Sequence, residues 1–255
     1  MDCGELFDPN QDTALFLLKT MDQMKYDAMS LGAPDLQFGY EFIEKSRSEV
    51  SFPYVASNLI YNDAPPSSSF GYVIKETGGI KVAIFGVIDP EELVKFISPK
   101  EAEKLRAVPP ETALAPLVSE AKTKADLVVL LSQLPNTKLV SLMNAVKGID
   151  LAITAGCYEQ TKEKPPAESQ IINIRGNKGI TLGILKIALD ARGGFKIKED
   201  QHVELNDDFT DDPEIARQME AHKKALEIKE EKQKKELEAG LQMTPEEFMK
   251  QHQKQ

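Results

Sequence analysis

The strongest constraint on the fold is a rhythm in the middle of the chain. Residues 80–88, 126–131 and 150–154 are short apolar runs of strand length. Between them lie helical patterns over 110–124 and 136–147, and a helix start at Asp89-Pro90-Glu91-Glu92. An aspartate at the cap accepts from free N–H groups of the first turn, and proline at the first helical position sacrifices no hydrogen bond. After its opening Asp126 the run 126–131 is apolar throughout, which suits a strand buried on both faces. Strands separated by helices predict an α/β domain.

The flanking segments fill in this frame. Apolar residues at helical spacing predict helices over 12–24, with Leu15, Leu18 and Met21, and over 37–49, with Phe38, Phe42 and Ile43. Between them, 28–32 reads as a short strand ending in the Ala33-Pro34-Asp35 turn, and 52–58 as another. A hairpin is expected from 70–75 through Gly78-Gly79 into the run at 80. Residues 171–174 and 182–189 read as strands joined by Gly176-Asn177-Lys178-Gly179. Early strands parted by helices and late strands joined by turns predict a mixed sheet or two packed sheets.

Beyond about Leu205 the texture changes. Asp211-Asp212-Pro213 opens a charged helix expected to run to about Ala239, with a narrow stripe of Ile215, Met219, His222 and Leu226. Pairs such as Glu220/Lys224 and Glu231/Lys235 stand four residues apart, the spacing that stabilises a solvated helix. Gly240 is expected to interrupt it, and Thr244-Pro245-Glu246-Glu247 to cap a last short helix. The chain therefore divides into a domain over 1–205 and a helical extension over 206–255. Residues 210–255 are either a partner-binding surface or a solvated helix; the stripe is too short for a sustained coiled coil.

Composition excludes more than it identifies. A net charge of −10 argues against nucleic acid, whose phosphates call for clustered Lys and Arg. No run approaches the ~18 apolar residues of a membrane span. Met1-Asp2-Cys3-Gly4-Glu5 lacks the basic start and apolar stretch of a signal peptide. Two cysteines, Cys3 and Cys157, do not make a disulfide scaffold.

An ordered set of blocks narrows the reading. Asp2-Cys3-Gly4-Glu5-Leu6-Phe7 resembles the DAGDLF segment of 5′-nucleotidase and UshA-type metallophosphoesterases, and the stretch from Tyr26 to Asp35 resembles their YDAMTLGNHD. Phe52-Pro53, leading to Ser57-Asn58, is similar to the family's FP…SAN strand. Residues 79–87 are similar to GIKVGIIGL, 125–133 to ADVVVLLSH, 148–159 to GIDLIIGGHSH, and 175–183 to the closing AGxxGKYLG turn. The blocks keep the family's order over about 1–190. The resemblance implies a metallophosphoesterase-like sandwich of two β-sheets flanked by helices. It further implies strand-end loops that hold two divalent metals, and a periplasmic or other extracytoplasmic location.

The departures from the family pattern fall on the metal ligands. The aspartate of GD corresponds to Glu5; the Asn and His of GNHD correspond to Ala33 and Pro34, leaving Asp35; the histidine of SH corresponds to Gln133; those of GHSH correspond to Cys157 and Glu159. The opening Asp-x-His strand has no counterpart. All three histidines, His202, His222 and His252, lie beyond the matched region. Glu5, Asp35, Gln133 and Glu159 could hold a hard divalent ion such as Mg²⁺ or Ca²⁺, although not at full occupancy. The expected function is noncatalytic binding of a small phosphorylated ligand or a partner. The alternatives are an active hydrolase of nucleotides or other phosphate esters with an altered metal site, or a thiol-based redox protein using Cys3 and Cys157. The cysteine pair would suit a UshA-like branch with selenocysteine-containing members.

Overall fold

A computed structural model describes residues 1–7, 9–67, 70–156, 160–174, 179–190 and 194–242, without the side chains of 236, 237 and 239–242. The chain forms two compact units, 1–208 and 209–255.

The first unit opens with α1 (Gln11–Gln23), β1 (Met29–Ser30), a 3₁₀ turn over Pro34–Leu36, and α2 (Tyr40–Arg47). Then come β2 (Tyr54–Val55), β3 (Leu59–Tyr61), β4 (Val73–Thr77) and β5 (Ile80–Val87). The middle alternates α3 (Pro90–Phe96), α4 (Pro99–Ala102), β6 (Leu105–Ala107), α5 (Pro110–Ala121), β7 (Leu127–Ser132), α6 (Asn136–Ala145) and β8 (Leu151–Thr154). It closes with β9 (Gln170–Asn173), β10 (Thr181–Leu189) and β11 (Phe195–Glu204). The second unit contains α7 (Pro213–Gln242).

The apolar runs build the central sheet, ordered β4-β5-β7-β8-β9; β4 is antiparallel to β5 and the other pairings are parallel. Both faces of its middle strands are covered. Ala83, Phe85, Val128, Leu130 and Ala152 meet Leu114 and Val118 of α5 and Leu139 and Met143 of α6. The alternate residues Val82, Ile84, Val129, Leu131 and Leu151 pack with Ala28, Val55 and, from β10 and β11, Leu185, Ile187 and Phe195. Each such branched side chain contributes roughly 1.5–3 kcal/mol on burial. The second layer is thus a parallel ladder of β1 with β2 and an antiparallel ladder of β10 with β11, giving an α/β sandwich with mixed strand directions. A third core lies behind β1 and β2, where Leu18 and Met21 of α1 and Ile43 of α2 pack on Met29 and Tyr54.

The two layers approach closely at Gly86 of β5. A Cβ there would lie 2.5 Å from both Ser30 Oγ and the Val55 carbonyl oxygen. A hydrogen side chain is what lets β5 run this close beneath β1 and β2.

Several sequence expectations need correction. The helix expected over 37–49 is α2, which begins only at Tyr40, because Gly39 at φ 80° is not helical. Gly240 does not interrupt α7, which continues to Gln242; a helical glycine costs only about 1 kcal/mol. The short antiparallel pair β3–β6 was not expected, having too few residues to show a period. Asp89 caps α3 as predicted, accepting from the Glu91 N–H at 3.0 Å. The turn at 175–178 and the last short helix lie outside the described residues.

Candidate functional site

Strands β1, β2, β5, β7 and β8 run parallel within their ladders, so their following loops gather at strand ends, where α/β sheets commonly carry ligands. The loop from Asp2 to Phe7 crosses the end of β1. Asp2 bridges to Met29, and the Ser30 N–H donates back to the Asp2 carbonyl at 2.9 Å. Gly4 then turns at φ 92° and Glu5 at φ 63°. The turn demands glycine at its first position, since a Cβ on Gly4 would lie 2.6 Å from the Gly32 nitrogen and the Ser30 carbonyl oxygen.

Asp35 holds this loop. Its side chain is fully buried, and its Oδ2 accepts from the backbone N–H groups of Glu5 and Gly32, each at 2.8 Å. Its Oδ1 accepts from Phe7 N–H at 2.9 Å. Burial pushes its carboxyl up to about 6, against the pull of these three N–H groups. Gln133, following β7, donates from Nε2 to the Gly4 carbonyl oxygen at 3.0 Å. The structure thus brings Glu5, Asp35 and Gln133 to one loop, with Asp35 and Gln133 engaged by its backbone. Ala33 is buried and Pro34 opens the 3₁₀ turn at the Asn-His position.

Glu5 itself is exposed, and its carboxyl is raised by partial burial and then by the charge of Glu92. Asp2 is a neighbour that the motif comparison missed as a functional candidate, although it begins the quoted DCGE block. Its Oδ1 accepts from Gly4 N–H at 2.8 Å, and burial pushes its carboxyl up. Ser30 Oγ, also at this junction, is fully buried and has no hydrogen-bond partner among the described residues.

Cys3 points into the space between the layers. Its Sγ donates to the Ile153 carbonyl oxygen at 3.4 Å, and burial, reinforced by the charge of Asp2, pushes the thiol up to about 12. Such a thiol is protonated at neutral pH, unlike the low-pKa thiols that exchange disulfides. Cys157 and Glu159 lie outside the described residues, so the shared-site expectation for Cys3 and Cys157 is not addressed by this geometry.

No protein-family model matches the chain. Among curated proteins it is similar to the trifunctional nucleotide phosphoesterase protein YfkN of Bacillus subtilis, at 23% identity over 281 residues, covering 91% of this chain and 19% of YfkN. Among solved structures, the 5′-nucleotidase precursor of Thermus thermophilus superposes with a TM-score of 0.75 at 18% identity, over 89% of this chain and 49% of that one. The calcineurin-like phosphoesterase YfkN from Bacillus subtilis gives 0.68 at 18% identity, over 88% and 82%. The chain therefore spans about a fifth of the curated relative and about half of the Thermus protein. At these identities the likeness establishes the fold.

Proposed function

We propose that this chain, built on the fold of the 5′-nucleotidases and calcineurin-like phosphoesterases, binds a small phosphorylated ligand or a partner at its strand-end loops without hydrolysing phosphate esters. The observation that carries this reading is the engagement of Asp35: both carboxylate oxygens accept backbone N–H groups, from Glu5, Gly32 and Phe7. A hydrolytic dimetal centre needs a bridging carboxylate with imidazole, amide and carboxylate donors around it, to generate a nucleophile and neutralise the phosphoryl group. What supports the reading is that the donors among the described residues do not meet that demand. Among the described residues, no group of three or more His, Cys, Asp or Glu is placed to hold a metal ion. Ala33 and Pro34 offer no side-chain donor where the resemblance implies Asn and His.

The name of YfkN makes a nucleotide the first ligand to try. Calorimetric titration with a nucleoside monophosphate, followed by phosphate release assays with Mn²⁺ or Zn²⁺, tests the proposal. Saturable binding with negligible release is expected. Metal-dependent turnover in the ordinary range of ~1–10³ s⁻¹, abolished by Glu5→Ala, would establish the altered-site hydrolase instead. The same proposal treats 206–255 as a helical extension available to a protein partner. None of the described helices is long and apolar enough to cross a membrane.

A further inference from the structure

The helix-covered face of the central sheet carries a cleft of its own. A cavity of about 620 Å³ opens beside the ends of β5 and β7, between the starts of α3 and α5 and one side of α6. Gln133 and Leu134 separate it from the loops described above. Gln133 reaches the Gly4 carbonyl, whereas the next residue, Leu134, lines the cavity. Pro109, Pro110, Leu134 and Leu142 give an apolar lining, and Asp89, Glu91, Glu111 and Lys138 supply its charges. The volume and the mix of apolar wall with a few charged groups are those of a small-molecule site.

The charges decide what kind of molecule. Lys138 Nζ donates to Asp89 Oδ2 at 2.8 Å and to Glu91 Oε2 at 2.5 Å, and these bonds push its ammonium up to about 12. It is therefore a permanent cation already held by two carboxylates. An anionic ligand would find only the third N–H of an ammonium whose charge two carboxylates already offset, and would face Glu111 as well. Glu111 is exposed and has neither a hydrogen bond nor an ion pair from its side chain among the described residues. The Glu91 side chain is 78% exposed, and a carboxylate accepting one ammonium keeps lone pairs for a second donor. The lining thus carries three carboxylates against one ammonium, an excess of negative charge that a bound cation reduces and a bound anion increases.

We propose that this cavity binds a small organic cation, an amine or amidine on a flat apolar body, with its charge at Glu111 and Glu91 and its body against Pro109, Pro110, Leu134 and Leu142. The test uses the full chain and three probes of one shape: benzamidine, benzoate and benzyl alcohol. Binding is followed by calorimetry and by the amide resonances of α6. Saturable binding of benzamidine is expected, weaker binding of benzyl alcohol, and none of benzoate. Glu111→Gln, at an exposed position that leaves the core untouched, should weaken benzamidine by ~10-fold through loss of a charge-assisted hydrogen bond. Ala145→Phe, from the exposed side of α6, should fill the space and block the site. Benzamidine binding no tighter than benzoate, or unchanged affinity in Glu111→Gln, overturns the proposal.

Discussion

Two regions at the same edge of the sheet treat their charged groups in opposite ways. In the loop cluster of Asp2–Phe7 and Gly32–Leu36, the carboxylates of the buried Asp35 and the half-buried Asp2 accept backbone N–H groups, and Gln133 is tied to a backbone carbonyl. In the cavity on the helix face, charged side chains pair with one another, and those of Lys138 and Glu91 stay accessible. The loop cluster uses polar chemistry to fix a conformation. The cavity leaves polar chemistry exposed, where a solute can meet it. Family-like residues at a site therefore do not mean that their side chains are available there.

If Asp35 is structural in this sense, removing it should have the largest effect. Asp35→Ala leaves the N–H groups of Gly32 and Phe7, both at buried hydrogen bonds, without an acceptor, and frees Glu5 N–H as well. A loss of about 3–5 kcal/mol is expected from the urea midpoint, as when one partner of a buried polar set is removed. Asp35→Asn should lose less, because one carbonyl oxygen remains. A loss below about 1 kcal/mol in the alanine variant would show the carboxylate to be free, and would reopen its role as a ligand.

The protonation of Asp35 sharpens the same point. Its carboxyl is raised from 3.8 to about 6 by burial, so between these values the native state binds more protons than the unfolded chain. The stability contributed by the protonated form is fully present below pH about 3.8 and is lost as pH rises through about 6, by roughly 3 kcal/mol in all. Asp2 is shifted in the same direction. Unfolding free energies from pH 4 to 7.5 should therefore fall more, or rise less, in the native protein than in Asp35→Asn. Parallel curves for the two would mean that Asp35 ionises as freely in the fold as out of it.

The parts of this picture that sequence carries are those with a period or a fixed local geometry. The strands β5, β7 and β8 announce themselves by apolar runs because both of their faces are buried, and Asp89-Pro90 announces a helix start because capping is local. The ordered blocks also place Glu5, Asp35 and Gln133 near one another, since strand-end loops in this architecture converge. The direction of the Asp35 side chain cannot be read this way: an aspartate beside a turn has the same letter whether it faces solvent or three N–H groups. The pairing of β3 with β6 joins Leu59 to Ala107 with no local signal. The cavity is equally silent, because Lys138, Asp89 and Glu91 come together only through packing of α3 beside α6.

The approach of the two layers offers a third, smaller perturbation. Gly86→Ala would place a methyl group 2.5 Å from Ser30 Oγ and the Val55 carbonyl oxygen, well inside contact distance. Ser30 Oγ has no partner to hold it among the described residues and can rotate, but the Val55 carbonyl is backbone and must shift. Overpacking of this kind costs typically ~1–3 kcal/mol. Because the strain falls beneath the Ser30–Gly32 end of β1, amide exchange in residues 2–7 and 30–35 should speed up more than in α6. Equal effects in both places would mean that the loop cluster and the cavity are mechanically one region, contrary to the contrast drawn above.

The smallest effect is expected on the cavity side. Lys138→Met removes both ion pairs, to Asp89 and to Glu91. The lysine side chain is 43% exposed and that of Glu91 is 78% exposed, so solvent screens most of the attraction lost, and pairs of this kind are worth ~0–1 kcal/mol. Asp89 is the less exposed partner, at 9%, but it keeps the Glu91 N–H at the start of α3 and is not left bare. Methionine also preserves the apolar stem that covers the side of α6. A loss under about 1 kcal/mol, fading as salt is raised from 0.1 to 1 M, is the expected outcome of urea unfolding. A salt-independent loss of 3 kcal/mol or more would show that these charges, like Asp35, are fixed parts of the architecture, and the difference between the two regions would disappear.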